Sequence, residues 1–438
     1  MIRTADWQLT AEAFGGLLVE RSTFREFEIG QLEYIFAKLM LKGYSSTSIS
    51  AQLKKRLKSD FSPSKELLEL LSSDGSKADT CHLAKDLSDA LNELAEVKSL
   101  DHLAAPTEIT IYPTMKCQLS CSFCFVREKL SKRDTDLPAE DWISLCRDLV
   151  DCGVRSISIL GGEPTMYRDF RTLLIGLSEL GVRVSFTTNG QHFSSAILDT
   201  IASLKTVMPI FSLHTLSNRS RLTMGKHYDP NRTVESMTRV RESGLPCRMN
   251  TVLTDQPLDE LAELEALSRN LGIEKWSIAY PYSTPALLSI SNFLDRTGEV
   301  VALARRNKSS TYVSPEGCMI FAAKDIDKAS IGEVSLYQQW TYGCEAGQSI
   351  LEIGPRGEMY PCASMMQTDK VIGNAFDTNW KQVWNHSPVL ASLRQNKFPQ
   401  SCLSCALSSF CKGGCPAYRH SQDDPHDRDS RCEISLPV

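Results

Sequence analysis

A chain of 438 residues, 42% of them hydrophobic and with a formal net charge of -5, is longer than one compact core serves; its mild acidity argues against a protein whose main work is coating nucleic acid or an anionic membrane. No apolar run approaches the roughly 20 residues that span a bilayer, and residues 1–10 mix Arg3, Asp6 and Gln8 with apolar side chains, so neither a signal peptide nor an anchor is expected. The expected setting is the cytoplasm, where 15 cysteines read as metal or cluster ligands rather than disulfides.

In chain order, residues 17–21 and 24–29 read as short strands. Leu32, Ile35, Phe36, Leu39 and Met40 then recur at helical spacing up to Gly43. A second helix opens at the Ser/Thr cluster 45–48 and buries Ile49 and Leu53. Two strands followed by helix, turn and helix describe a winged-helix-like module. Lys54, Lys55, Arg56 and Lys58 give it a basic stretch, which by itself is an ordinary solvated helix face. Residues 72–79 read as a loop and 83–97 as one more helix before a boundary at Pro106.

Beyond Pro106 strand and helix alternate. A strand at 108–112 precedes a helix with Trp142, Leu145, Cys146, Leu149 and Val150 on one face, ended by Gly153. A strand at 156–160 precedes a helix lined by Phe170, Leu173, Leu174 and Leu177, ended by Gly181. Strands at 183–187, 209–213, 248–253 and 275–279 continue the series. The fold class is α/β: about six such units predict a partial (β/α)6 TIM-like barrel, with the C-terminal strand ends gathered around one mouth. The expected domains are the module at 1–100, the barrel at 101–300, a bridging segment at 301–340 and a cysteine-rich iron-sulfur domain at 341–438.

Chemistry concentrates at that mouth. Cys117, Cys121 and Cys124 follow the first strand of the series. Three thiolates on a four-iron cluster leave one iron open, where full protein ligation takes four. The second strand ends in Gly161, Gly162, Glu163 and Pro164, the third in Thr187, Thr188, Asn189 and Gly190, and the fourth in Ser212, Leu213, His214 and Thr215. Taken singly, these are turns, the cysteine triplet reads as a zinc or redox loop, and His214 as a structural histidine, a substrate contact or a proton acceptor; their shared phase on one rim points to a ligand site. Near the C-terminus Cys344, Cys362, Cys402, Cys405, Cys411, Cys415 and Cys432 are too many for one tetrahedral zinc and suggest two interleaved metal or iron-sulfur sites. Cys81, Cys146, Cys152 and Cys247 read as small buried hydrophobes.

The triplet with Phe123 before its last cysteine, followed by the Gly161–Pro164 turn, resembles the radical S-adenosylmethionine enzymes over roughly residues 106–290. That resemblance implies a four-iron cluster on Cys117, Cys121 and Cys124 whose open iron chelates S-adenosylmethionine. It places Phe123 near the adenine, Gly161, Gly162 and Glu163 at the methionyl amine, and Ser212 and Asn250 at the ribose or carboxylate. The C-terminal spacing is similar to the SPASM extension of peptide-modifying radical enzymes. This implies one auxiliary four-iron cluster on Cys402, Cys405, Cys411 and Cys432 and a second on Cys344, Cys362 and Cys415, three clusters in all. Two fully ligated auxiliary clusters need eight thiolates, so Cys318, water or a substrate group is expected to complete the second. Residues 28–39 and the polar turn before Ile49 resemble the PqqD-like peptide chaperone of pyrroloquinoline quinone biosynthesis. Such an element binds the leader of a precursor peptide as an added strand.

The expected function is therefore radical modification of a ribosomally made peptide, a thioether or carbon-carbon crosslink first, with flavodoxin or ferredoxin as electron donor and no nucleic-acid or membrane partner. The resemblance also leaves open a sulfatase maturase forming formylglycine, an epimerase or a backbone-excising enzyme. An iron-sulfur transcription regulator with a winged-helix reader is a reading from another class, and so is a scaffold that only carries clusters. The strand-end motifs are explained by neither.

Overall fold

The computed structural model describes residues 2–4, 6–58, 61–71, 80–130, 136–204, 206–217, 219, 223–279, 281, 293–315, 344–367, 370–395, 399–405, 408–419, 428–429 and 432. They divide into two compact units, one made chiefly of Met1–Pro106 and one running on from Thr107.

The first unit opens with an antiparallel sheet in the order β1-β2-β3-β4, formed by β1 (Ile2–Arg3), β2 (Trp7–Glu12), β3 (Gly15–Glu20) and β4 (Glu26–Gly30). Two strands are expected from the sequence and the described chain has two more, because Trp7–Glu12 pairs along its whole length with β3 and buries Leu9 and Ala11. Short strands of this kind are stabilised by cross-strand packing, which local propensity does not display. Four helices follow: α1 (Gln31–Leu41), α2 (Ser46–Leu57), α3 (Lys65–Leu70) and α4 (Thr80–Val97). Tyr34, Ile35, Phe36 and Leu39 are all sealed from solvent, so α1 is the core helix, packed against β3 and α4. Ser45 caps α2 by accepting the Ser48 amide at 3.2 Å. Lys54, Lys55 and Arg56 are exposed on that helix.

The second unit is built on one sheet of ten described strands, ordered β11-β10-β9-β8-β7-β6-β5-β12-β13-β14. The strands β5 (Glu108–Ile111), β6 (Ser156–Ile159), β7 (Arg183–Thr188), β8 (Val207–Ser212), β9 (Arg248–Val252) and β10 (Lys275–Ala279) are the six of the expected series. They are parallel to their neighbours, joined by α5 (Ala139–Val150), α6 (Phe170–Glu179), α7 (Ser195–Ser203), α8 (Pro230–Glu242) and α9 (Leu258–Asn270). After α10 (Phe293–Arg306), β11 (Tyr312–Pro315) adds a further parallel strand beside β10. The segment expected to bridge from residue 301 thus belongs to the sheet as far as 315. On the other side β12 (Ile350–Ile353) lies parallel to β5, followed by the antiparallel β13 (Glu358–Tyr360) and β14 (Gly373–Asn374).

Strands β5 to β9 alternate in burial. Ile109, Ile111, Ile157, Ile159, Val184 and Phe186 are buried on one face, and Phe186 meets Phe170 of α6 with ring centroids 5.1 Å apart. Parallel sheets normally show apolar residues on both faces. Here the other face carries Glu352, Thr110, Ser158 and Ser185 in one cross-strand row and Ser212, Asn250 and Ser277 in another. A small, polar face on a curled parallel sheet is a wall for a ligand rather than for a packed core. No described helix is long and apolar enough to cross a membrane.

Candidate functional site

The loop carrying Cys117, Cys121 and Cys124 leaves the C-terminal end of β5 and is held from two sides. On one side the Gly161–Glu163 turn after β6 runs against residues 114–116: the Gly162 amide donates to Thr114 O at 2.9 Å and the Glu163 amide to Lys116 O at 2.7 Å. A methyl group on Gly161 would overlap the Thr114 carbonyl oxygen, and one on Gly162 the Lys116 carbonyl oxygen. The close approach these glycines permit is therefore to the chain's own backbone. On the other side, Ser122 N donates to Thr223 O at 2.7 Å and Ser120 N to Met224 O at 3.3 Å. Leu119, Phe123, Met224 and Tyr228 form a buried cluster against which Cys117, Cys121 and Val252 pack.

The Glu163 carboxyl is buried and accepts four hydrogen bonds. Its Oε1 accepts from Thr165 N (3.1 Å), Thr165 Oγ1 (2.7 Å) and Thr188 Oγ1 (2.7 Å), and its Oε2 from Asn189 N (2.8 Å). Burial raises its pKa and the hydrogen bonds pull the other way. Glu163 thus ties the turn after β6 to the turn after β7. Asn189 carries the link on, its Oδ1 accepting from Gln118 Nε2 at 2.9 Å inside the cysteine loop. The threonine and asparagine after β7, read from the sequence as ligand-type residues, are in part the fastening of this rim.

His214 is also buried. Its Nδ1 accepts the Val252 amide at 2.9 Å, which fixes the tautomer with the proton on Nε2. Its ring meets Phe123 edge-on at 4.7 Å and 68°. Burial pushes its pKa from an ordinary 6.5 down to about 3, so the imidazole stays neutral. The unfolded chain takes a proton near 6.5 that the folded chain refuses, and stability falls as the pH drops through that window. Thermal unfolding of the metal-free protein between pH 7 and pH 5 is expected to show this as a steeper loss than in His214→Asn, whose amide oxygen can stand in for Nδ1. The slopes should differ by up to about 1.4 kcal/mol per pH unit; equal slopes would mean that the site accepts the imidazolium.

Ser212 ends β8 directly opposite Asn250 of β9. Asn250 Oδ1 is buried and accepts no hydrogen bond among the described residues. A buried acceptor left open at the mouth is suited to a hydroxyl or amine donor of a bound molecule. Phe123, Gly161, Gly162, Ser212 and Asn250 therefore lie on the strand ends of this mouth.

The thiols show what this loop is suited to hold. Burial pushes Cys117 up to about 11, with the neighbouring Glu163 and Cys124 charges adding to it. Cys121 is raised by burial and then by the Cys124 and Cys117 charges, and Cys124 by burial. Three soft ligands that would repel one another as thiolates are stabilised by a bound cationic iron centre, which takes the place of their protons. The Leu119 amide donates to Cys117 Sγ at 3.5 Å, a bond of the kind that tunes cluster thiolates. The residues present fit an iron-sulfur cluster.

In the C-terminal part Cys362 is half-buried and its pKa is raised well above the ordinary value, by desolvation and then by the Cys344 and Cys415 charges. Cys402 is raised by burial and feels Cys405 and Cys432; burial pushes Cys411 up to about 12, with Cys432 and Cys402 adding to it. Cys362 thus feels Cys344 and Cys415, while Cys402 and Cys411 both feel Cys432 within the second set. Among the described residues no three His, Cys, Asp or Glu side chains converge on a single metal ion. Asp429, buried beside them, accepts the Cys415 amide at 3.1 Å through Oδ2. Cys318 lies outside the described residues, as do residues 316–343 around it. Cys146 and Cys247 are buried thiols remote from these groups in the strand-and-helix series, and Cys152 is half-buried.

Three features escaped the sequence. Tyr228, on the loop before α8, packs on the cysteine loop and its hydroxyl lies 3.1 Å from Thr233 Oγ1; nothing in its neighbourhood marks it. Asp429 is likewise unmarked. Glu352 was detectable as the single acid in the apolar strand Ile350–Ile353.

Residues 111–267 match the family model of the radical SAM superfamily, and residues 344–406 that of an iron-sulfur cluster-binding domain, SPASM. The chain is 23% identical over 351 residues to the PqqA peptide cyclase of Methylorubrum extorquens (strain PA1), covering 77% of this chain and 87% of that protein. It is 25% identical over 323 residues to the PqqA peptide cyclase of Gluconobacter oxydans (strain 621H), covering 71% and 85%. Among solved structures it resembles Streptococcus suis SuiB bound to the precursor peptide SuiA, with a TM-score of 0.84, 28% identity, and coverage of 98% of this chain and 99% of that one.

Proposed function

We propose that this radical S-adenosylmethionine enzyme crosslinks side chains of a ribosomally made precursor peptide, by a thioether or carbon-carbon bond. The observation that carries the reading is the end-to-end similarity to SuiB in its peptide complex, with 98% of the chain aligned. Similarity to the PqqA peptide cyclases supports ring formation in particular.

Cys117, Cys121 and Cys124 would hold a cluster that binds S-adenosylmethionine and that, when bound and reduced, would supply the one-electron chemistry for its cleavage and for hydrogen abstraction from the peptide. The chain's part is placement and exclusion of water. Gly161 and Gly162 let the turn after β6 close on the cysteine loop, and Glu163 locks that turn to its neighbour. Phe123, flanked by the neutral His214, offers a ring face to the adenine, while Ser212 and the open Asn250 Oδ1 offer polar contacts to the ribose or carboxylate. Glu163, its oxygens already taken by four donors, acts at the methionyl amine through the turn it fixes. Two auxiliary clusters would be held by Cys402, Cys405, Cys411 and Cys432 and by Cys344, Cys362 and Cys415, the last completed by Cys318, water or the substrate. The N-terminal unit would take the leader of the peptide as an added strand in the PqqD-like manner, since its sheet ends in the edge strand β4. Flavodoxin or ferredoxin would supply electrons in the cytoplasm.

The test is tandem mass spectrometry of peptides encoded by short reading frames beside its gene, with SuiA as a second probe, after anaerobic turnover. A loss of two hydrogens per modification, with fragments missing between the joined residues, is the expected result. An unchanged mass with inverted stereochemistry would replace crosslinking by epimerisation.

A further inference from the structure

Glu352 is an acid inside a strand that is otherwise apolar, buried on the polar face of the sheet. Its Oε2 accepts the Tyr112 hydroxyl at 2.6 Å, the Thr110 side chain and the Ala363 amide lie close enough to stabilise its charged form, and across the β12–β13 ladder it pairs with Tyr360, which leads directly into Cys362. Thr110 belongs to β5 and Tyr112 directly follows it, at the start of the chain segment that carries Cys117, Cys121 and Cys124. Ala363 directly follows Cys362 and opens the helix α11 (Ala363–Gln367), whose Met365 and Met366 amides donate to the Cys362 carbonyl at 3.0 and 3.2 Å. One carboxyl therefore fastens the backbone at Cys362 to the strand that leads into the other cysteine loop. The space beside it is filled: Tyr112, Met115, Val126, Tyr360 and Met366 form a buried cluster with Cys124 and Phe125 packed against it. Lys129 lies over the Tyr360 ring at 5.6 Å.

We propose that Glu352 is a positioning residue for the auxiliary cluster held through Cys362, fixing that ligand against the cysteine loop of the barrel and thereby setting the cluster's spectroscopic signature and reduction potential. This rests on the assignment of Cys362 as a ligand. Groups that orient a ligand from behind tune a metal site nearly as strongly as the ligands themselves, and here the orienting group is shared between two iron sites. Electron transfer between those sites depends on the relative placement of their ligands, so loosening Glu352 uncouples the fate of the peptide from the cleavage of S-adenosylmethionine.

The experiment uses the full chain with Cys117, Cys121 and Cys124 replaced by Ala, so that only auxiliary clusters report. In Glu352→Ala the electron paramagnetic resonance signature and midpoint potential of the Cys362 cluster are expected to shift, with the other auxiliary signal unchanged. Glu352→Gln keeps an acceptor for Ala363 and Tyr112 and is expected to restore the signature. With the barrel cysteines intact, modified peptide per 5'-deoxyadenosine should fall by about tenfold or more in Glu352→Ala. A parental signature and potential in Glu352→Ala would overturn the proposal. Should that variant not fold, Tyr112→Phe decides, because it deletes a single hydroxyl: a shifted potential supports the clamp and a parental one rejects it. Loss of an auxiliary signal with Cys402→Ala but never with Cys362→Ala would overturn the ligand assignment, and the proposal with it.

Discussion

Gly162→Ala is expected to lower cleavage of S-adenosylmethionine by about a hundredfold or more, the scale at which small displacements of reacting groups act. The added methyl would overlap the Lys116 carbonyl oxygen and stand 2.6 Å from Lys116 C and 2.9 Å from Met115 C, all of it backbone. Backbone cannot swing aside as a side-chain end does, so the turn after β6 must part from the residues leading into Cys117. Overpacking of this kind costs about 1–3 kcal/mol, which a domain of this size survives folded. The variant should therefore remain soluble, keep its auxiliary iron and lose activity through a displaced cysteine loop. Gly298→Ala is the control, since a methyl there meets nothing within 4 Å and replaces glycine inside α10 with a better helix former. Cleavage at the parental rate in Gly162→Ala would show that the two backbones do not meet.

Replacing Cys117, Cys121 and Cys124 together by Ala is expected to abolish 5'-deoxyadenosine formation while leaving the iron of the C-terminal part bound. No thiol of one set acts on a thiol of the other: the charges that raise Cys121 are those of Cys124 and Cys117, and those that raise Cys362 are Cys344, Cys415 and Glu352. Removing the first set takes away three half-buried thiols and no ligand of the second. Iron analysis with product chromatography reads both halves of the prediction. Cleavage retained by the triple variant would move the chemistry away from the barrel mouth.

Much of this arrangement was legible in the sequence because it is local. The six strands of the β/α series announce themselves by apolar and small residues at period two, and the helices between them by their spacing; the cysteine loop and the turn of Gly161 and Gly162 sit where those strands end. What was hidden is what distance in the chain hides. Strand β12 pairs with β5 from far along the chain, and Ile350–Ile353 by itself is four residues with no reason to seek that edge. The strand Trp7–Glu12 is likewise revealed by its partner. Glu163 stood out as part of a motif, yet its role as the knot between two turns depends on Thr188 and Asn189. His214 read as a structural histidine, a substrate contact or a proton acceptor, and only the Val252 amide and its burial show it held neutral.

The most direct test of the account is anaerobic turnover of the reconstituted, reduced protein with S-adenosylmethionine, quantifying 5'-deoxyadenosine with and without the precursor peptide. The account predicts product that rises with peptide and keeps pace with the hydrogens the peptide loses. No 5'-deoxyadenosine from protein that carries its full complement of iron, with peptide present, would contradict it.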